Sequence, residues 1–277
     1  MKKYSEKIMS IVFFISALTS VGAVLLICIF LFANGIPAMS EIGLFKFLLG
    51  KEWSPTDVPA LYGIFPMIVG SLYVTAGAII IGVPLGVLTA VFLAFECPKK
   101  LYGKIKPAVD LLAGIPSVVY GFFGMSVLVP LFGNSIVSAS VLLGIMILPT
   151  IIGLTETAIR AVAPQYYEGS LGLGAGHYRS IFFVVLPAAK SGILAAVVLG
   201  IGRAIGETMA VIMVAGNQAR MPVSLLKGVR TLTANIVIEM GYAAELHREA
   251  LIATGVVLFV FILLINISFS AINRRKD

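Results

Sequence analysis

Charge is what this chain lacks most. Asp, Glu, Lys and Arg make up 12% of its 277 residues, about half of the roughly 25% carried by an ordinary water-soluble domain. Hydrophobic residues fill 59% of it and the mean hydropathy is +1.05, which excludes a surface wetted on all sides. Cysteine is scarce too. Cys28, in an apolar run, and Cys97, beside a basic stretch, form no disulfide framework and read as free thiols. There is no GxxxxGK[ST] string, so the chain does not bind and hydrolyse ATP in the P-loop manner. His177 and His247 stand alone in the sequence and make no metal site, and Ser117, Ser170 and Ser191 have no visible His/Asp partners for nucleophilic catalysis. No internal repeat is strong enough to use. The net charge of +7 does not point to nucleic acid, because the charges flank apolar stretches and form no single patch.

What is present is long apolar sequence. No charged residue lies between Lys7 and Glu41, Asp57 and Glu96, Asp110 and Glu156, or Glu249 and Arg274. A helix rises about 1.5 Å per residue, so roughly 20 apolar residues cross a bilayer's hydrocarbon. These gaps predict an all-α membrane protein, a single domain over 1–277, with six transmembrane helices near 11–32, 64–92, 111–132, 136–155, 191–215 and 251–271. Gly133-Asn134-Ser135 supplies the turn inside the third gap. The first run exceeds the roughly 7–15 apolar residues of a signal-peptide core, so it reads as a retained span.

Six spans allow an orientation. With the N-terminus inside, cytoplasmic segments hold Lys2, Lys3, Lys7, Lys99, Lys100, Lys104, Lys106, Arg160, Arg179, Lys190, Arg274, Arg275 and Lys276. External segments hold only Lys46, Lys51, Arg220, Lys227, Arg230 and Arg248. Basic residues concentrate on the cytoplasmic side, so both termini are expected there. External loops then cover 34–62, with Trp53 as an interfacial anchor or part of a docking surface, and 217–249.

Residues 164–187 form an expected cytoplasmic loop. Gly172, Gly174 and Gly176 favour a turn between two short helical pieces. Such a helix-turn-helix has little reason to exist unless something docks on it. Glu168-Gly169-Ser170, then Gly174, then Val184-Val185-Leu186-Pro187 resembles the EAA loop of ABC importer permeases, Glu-Ala-Ala-x3-Gly-x9-Ile-x-Leu-Pro, with Gly and Ser for the alanines and Val for Ile. In that family the loop inserts into a groove of the ATPase subunit. The resemblance makes Glu168, Gly169, Ser170, Gly174, Leu186 and Pro187 the ATPase-coupling residues.

Arg203 and Glu207 lie in the fifth apolar segment, four residues apart, and on one continuous helix they share a face. Charges inside a membrane are costly and face a bundle interior or a water-filled cavity. Two readings stand: a structural salt bridge, or a pathway element in which Arg203 offers positive charge to an anion. The string from Gly202 to Asn217, with Arg203-Ala204-Ile205-Gly206-Glu207-Thr208 at its core, resembles the RAIGET segment of phosphate importer permeases. Its Met-Ala-Val continuation looks like the PstC-type subunit. Asp110-Leu111-Leu112-Ala113-Gly114-Ile115-Pro116-Ser117-Val118-Val119-Tyr120-Gly121 is a second matching stretch, with Asp110 where the family usually has Glu. Pro116 removes a helix hydrogen bond and kinks or breaks the chain, and the freed carbonyl must find a partner or a wet cavity.

The resemblance implies the type I ABC importer permease fold and a subunit that forms half of a phosphate pathway by alternating access. The pathway residues would be Arg203, Glu207, Thr208 and Ser117. It implies a homologous PstA-type permease, two ATPase subunits carrying ATP and magnesium, an external phosphate-binding protein and a bacterial inner-membrane location. No cofactor is expected in this chain. A permease for molybdate, tungstate or sulfate is an alternative within the class; an ATP-independent channel or secondary transporter is the alternative outside it.

Overall fold

A computed structural model describes the backbone of residues 2–274 and the side chains of residues 6–268. Arg275 and Lys276, both used above to argue orientation, lie outside the described residues. Helix dominates, as long apolar runs require: away from water, backbone N–H and C=O groups must pair within their own segment. Helix α1 spans Lys2–Ile42 and the short α2 spans Leu44–Leu49. Strands β1 (Trp53–Ser54) and β2 (Leu61–Tyr62) pair antiparallel, with Trp53 opposite Tyr62. Next come α3 (Phe65–Glu96), α4 (Lys99–Gly114), α5 (Ser117–Phe132) and α6 (Ile136–Arg160). Then follow α7 (Pro164–Gly172), α8 (His177–Ala188), α9 (Lys190–Gly206), α10 (Met209–Val214), α11 (Leu232–Glu239) and α12 (Glu245–Arg274).

Among the described residues, four helices are long and apolar enough to cross a membrane: α1, α3, α6 and α12. Two bent pairs, α4–α5 turned by 99° and α8–α9 turned by 71°, raise the number to as many as six. The bends redraw two of the expected spans. The third expected span, 111–132, begins inside α4, and the chain turns sharply at Ile115 and Pro116 before α5. The fifth, 191–215, is not one helix: α9 stops at Gly206 and α10 restarts at Met209.

The centre is α3 laid along α6. Small residues recur every four positions on α3, at Gly70, Val74, Ala78, Gly82, Gly86 and Ala90, and all are buried. Small side chains let helix backbones approach closely where lipid supplies no hydrophobic drive. At Gly82 the approach is tight enough that a Cβ would fall 2.8 Å from Ile147. Leu142, Leu143, Met146, Ile147 and Ile151 of α6 fill the groove. By contrast, the apolar stretch of α1 is exposed along its length, with Phe13 and Phe14 about two-thirds exposed. An all-round apolar, unburied helix suits lipid and not water. Its last turns dock on α12 through Phe32 and Phe259, whose rings meet edge to face at 6.0 Å.

Helix α3 runs between two polar ends. At the hairpin end, Glu239 of α11 is buried and takes three contacts. The Trp53 indole N–H donates to it at 2.8 Å, Arg230 pairs with it at 2.5 Å, and His247 lies 2.9 Å away. Arg230 also donates to Asn235 Oδ1 and to the Asn217 carbonyl, each at 3.0 Å. Trp53 is therefore a buried element of this cap and no interfacial anchor. At the other end, α7 and α8 pack Ile181 and Val185 against Ala90, Val91 and Ile159.

Candidate functional site at two broken helices

The two breaks meet. Gly121 of α5 faces Ala210 and Met213 of α10, so closely that a Cβ there would lie 2.5 Å from Met213 Sδ. Ile115, Tyr120, Ala204 and Ala210 belong to one apolar cluster around the contact. Each break leaves backbone groups that must be paired within the protein. At the first, Ile115 and Pro116 are extended, and the Tyr120 hydroxyl donates to the Leu112 carbonyl at 2.8 Å across the gap. At the second, Glu207 is extended, and its carboxylate accepts from the backbone N–H groups of Thr208 (3.2 Å) and Ala210 (3.3 Å). A carboxylate at a helix start satisfies free donors and complements the helix dipole. The Glu207 carbonyl is taken by the Thr233 hydroxyl at 3.2 Å, and the Thr208 hydroxyl donates to the Gly206 carbonyl at 3.3 Å.

The helical pairing of Arg203 with Glu207 is overturned by this geometry. The helix ends before Glu207, and that carboxylate is engaged by backbone. Arg203 lies exposed in the last turn of α9, and among the described residues it makes no side-chain hydrogen bond or salt bridge. Ser117 opens α5 at the other break, half-buried. Arg203, Glu207 and Thr208 thus lie at the second break and Ser117 at the first, and the helices that follow the two breaks touch at Gly121 and Ala210. Tyr120, which the matching stretch Asp110 to Gly121 includes without a role, and Thr233, which no motif covers, hold the backbone at the two breaks. A Tyr one turn past a Pro-containing break was the available signal for the first; nothing local marks the second.

The six coupling residues lie elsewhere, on the α7–α8 unit. Glu168 and Gly169 are exposed on α7, Ser170 Oγ lies 2.9 Å from Ser180 Oγ across the two helices, and Gly174 turns the chain at φ +88. That left-handed conformation strains any residue with a Cβ. Leu186 is half-buried against the apolar seat and Pro187 sits in the last turn before the 71° bend. The unit is the helix-turn-helix expected from the glycines.

Two further polar groups appear beside it. His177 Nε2 lies 2.5 Å from Glu96 and Nδ1 lies 2.5 Å from the Tyr167 hydroxyl, so this histidine is not isolated. Buried Glu156 accepts from Tyr102 (2.8 Å) and Arg160 (2.9 Å), with Lys106 at 3.5 Å. The i,i+4 spacing of Glu156 and Arg160 was visible in the sequence; their shared partners on α4 were not. No group of three or more potential metal ligands occurs among the described residues.

Known proteins resemble the chain over most of its length. The family model for the binding-protein-dependent transport system inner membrane component matches residues 82–277. A probable ABC transporter permease protein, YqgH, of Bacillus subtilis is 39% identical, covering 94% of this chain and 88% of the relative. A phosphate transport system permease protein, PstC, of Mesorhizobium japonicum is 36% identical over 86% of this chain and 81% of its own. Among solved structures, the inward-facing MetNI methionine ABC transporter aligns with a TM-score of 0.65 at 20% identity, over 76% of this chain and 95% of that one. A bacterial ABC transporter for alginate import aligns at 0.64 and 15% identity, over 95% and 96%. The last two show the fold alone. With a family model spanning more than half its length and relatives above 30% identity, this chain belongs to the binding-protein-dependent transport system inner membrane components, the permease subunits of ABC importers.

Proposed function

We propose that this permease subunit forms half of a pathway for inorganic phosphate in a bacterial inner membrane. The observation that carries the reading is Arg203, exposed and without a side-chain partner among the described residues, beside a helix break that engages the Glu207 carboxylate with backbone N–H groups. A cation with free donors in an apolar chain needs an anion or water, and a guanidinium fork suits a phosphate oxyanion. The phosphate named for PstC relatives supports the same substrate. In this reading the chain crosses six times with both termini in the cytoplasm, α4–α5 and α8–α9 each counting once. A PstA-type permease covers the break face, and two ATPases holding ATP and magnesium dock on Glu168, Gly169, Ser170 and Gly174, seated through Leu186 and Pro187. A phosphate-binding protein delivers from outside. Arg203 attracts the anion; Glu207 and Thr208 shape the break around it, and Ser117 lines the opposite side.

The test is ATP-driven uptake of radiolabelled phosphate by the complete importer in vesicles. Uptake should be suppressed by excess unlabelled phosphate and not by molybdate or sulfate. Arg203→Gln should abolish it with assembly intact. Uptake without ATPase, or an Arg203→Gln importer that transports normally, would sink the proposal.

A further inference from the structure

The α7–α8 unit is joined to the bundle by a polar contact as well as an apolar seat. His177, first residue of α8, uses both ring nitrogens: one on the Tyr167 hydroxyl of α7, the other on Glu96, the last residue of α3. Phe95 packs against both rings, 5.5 Å from Tyr167 and 6.4 Å from His177. The histidine therefore fastens both helices of the unit to one helix end.

That helix end leads onward. The closing turn of α3, Phe92–Glu96, is wider than an α-helical turn. The Leu93 carbonyl in it accepts from Arg160 Nη2 at 2.8 Å. Arg160 pairs with Glu156, and Glu156 also holds Tyr102 and Lys106 of α4. Helix α4 runs directly into the 99° bend at Ile115–Pro116. From the loop to the break, each successive element is tied to the next by a charged or charge-assisted hydrogen bond, the stronger class of such bonds. Apolar seats permit sliding, whereas directional bonds between packed elements carry displacement.

We infer that Tyr167, His177 and Glu96 form a strut that carries displacement of the α7–α8 unit into α3 and, through Arg160 and Glu156, into the α4–α5 bend. These are positioning residues. The inference rests on the reading of α7–α8 as the ATPase-docking unit, and it adds the route by which docking reaches the pathway.

The test uses the complete importer with its ATPase in lipid nanodiscs, in a Cys28→Ser, Cys97→Ser background. Spin labels at Gly103 on α4 and at Val223 near the hairpin end report the ATP-induced distance change. This readout is independent of the transported ion. Glu96→Gln, outside the docking unit, should keep the ATPase attached and hydrolysing yet shrink the distance change severalfold. His177→Ala should do the same. The exchange Glu96→His with His177→Glu restores an acid–imidazole pair and gives Tyr167 an acceptor, so it should recover the change. An undiminished change in both single variants, failure of the exchange to recover it, or loss of the ATPase from Glu96→Gln would overturn the strut. A parent complex that shows the change but takes up no phosphate would refute the phosphate reading and leave the strut standing.

Discussion

Two arginines show how differently one residue type is used in this chain. Arg230, at the hairpin end, is largely buried and uses its donors on Glu239, Asn235 and the Asn217 carbonyl. Arg203, at the end of α9, is exposed and uses none of its donors within the described residues. Neither position is set by helix periodicity. What separates them is the backbone around each. Near Arg230 the chain folds back and brings an acid, an amide and a free carbonyl to one point. Near Arg203 the chain breaks, and the break turns the acid four residues on, Glu207, toward the start of α10. Burial with partners makes a guanidinium structural; exposure without them leaves it free for a ligand.

The largest effect should come from removing the buried acid. Glu239→Ala leaves Arg230 buried with its charge uncompensated and takes the acceptor from Trp53 and the partner from His247. Breaking a buried pair from one side costs about 3–5 kcal/mol, so the detergent-solubilised chain should lose its cooperative thermal unfolding transition or show it at a far lower temperature. A Glu239→Ala chain as stable as the parent would mean that the cap is not what holds Arg230.

Tyr120→Phe should come next. Its hydroxyl donates across the gap to the partly buried Leu112 carbonyl, which keeps only the long bond from the Ile115 N–H at 3.4 Å, and a lost hydrogen bond of this kind costs about 0.5–1.5 kcal/mol. The ring is retained, so packing against Ala204 and Ala210 survives and the lowered midpoint reports the bond. An unchanged midpoint would show that the first break needs no strap.

Much of this arrangement is legible in the sequence, and the exceptions have physical causes. The apolar runs show where helices form because a membrane leaves the backbone no alternative. Pro116 points to a kink or a break because proline removes a hydrogen bond from the helix ladder, though Pro84 and Pro149 sit inside continuous helices. The turn at Gly174 announced itself because only glycine adopts φ +88 without strain. Gly206-Glu207-Thr208 was less open to reading. Nothing in it forbids helix, and the i,i+4 rule placed Glu207 beside Arg203. The break appears only once the Glu207 carboxylate is seen to serve the next helix and Thr233, 26 residues on, is seen to take its carbonyl. Trp53 and His177 are illegible in the sequence for a related reason. Their partners, Glu239 and Glu96, are distant in sequence, and no local pattern encodes a contact made by the assembled fold.

The smallest stability effect, and the sharpest test of the comparison, belongs to Arg203→Lys. A surface substitution away from any packed or paired group changes stability by no more than about 0.5 kcal/mol, so the unfolding midpoint should not move. Uptake should separate two properties that Arg203→Gln removes together. Lysine keeps the positive charge but concentrates it on a compact, strongly hydrated ammonium without the planar fork. If charge alone draws the anion to the break, Arg203→Lys transports at a large fraction of the parent rate. If the fork must meet two oxygens at once, uptake falls toward that of Arg203→Gln with the fold untouched. The rate ratio between the two variants therefore measures how much of the recognition is geometric. A destabilised Arg203→Lys chain would break the comparison altogether, because it would show that Arg203, like Arg230, is held by partners of its own.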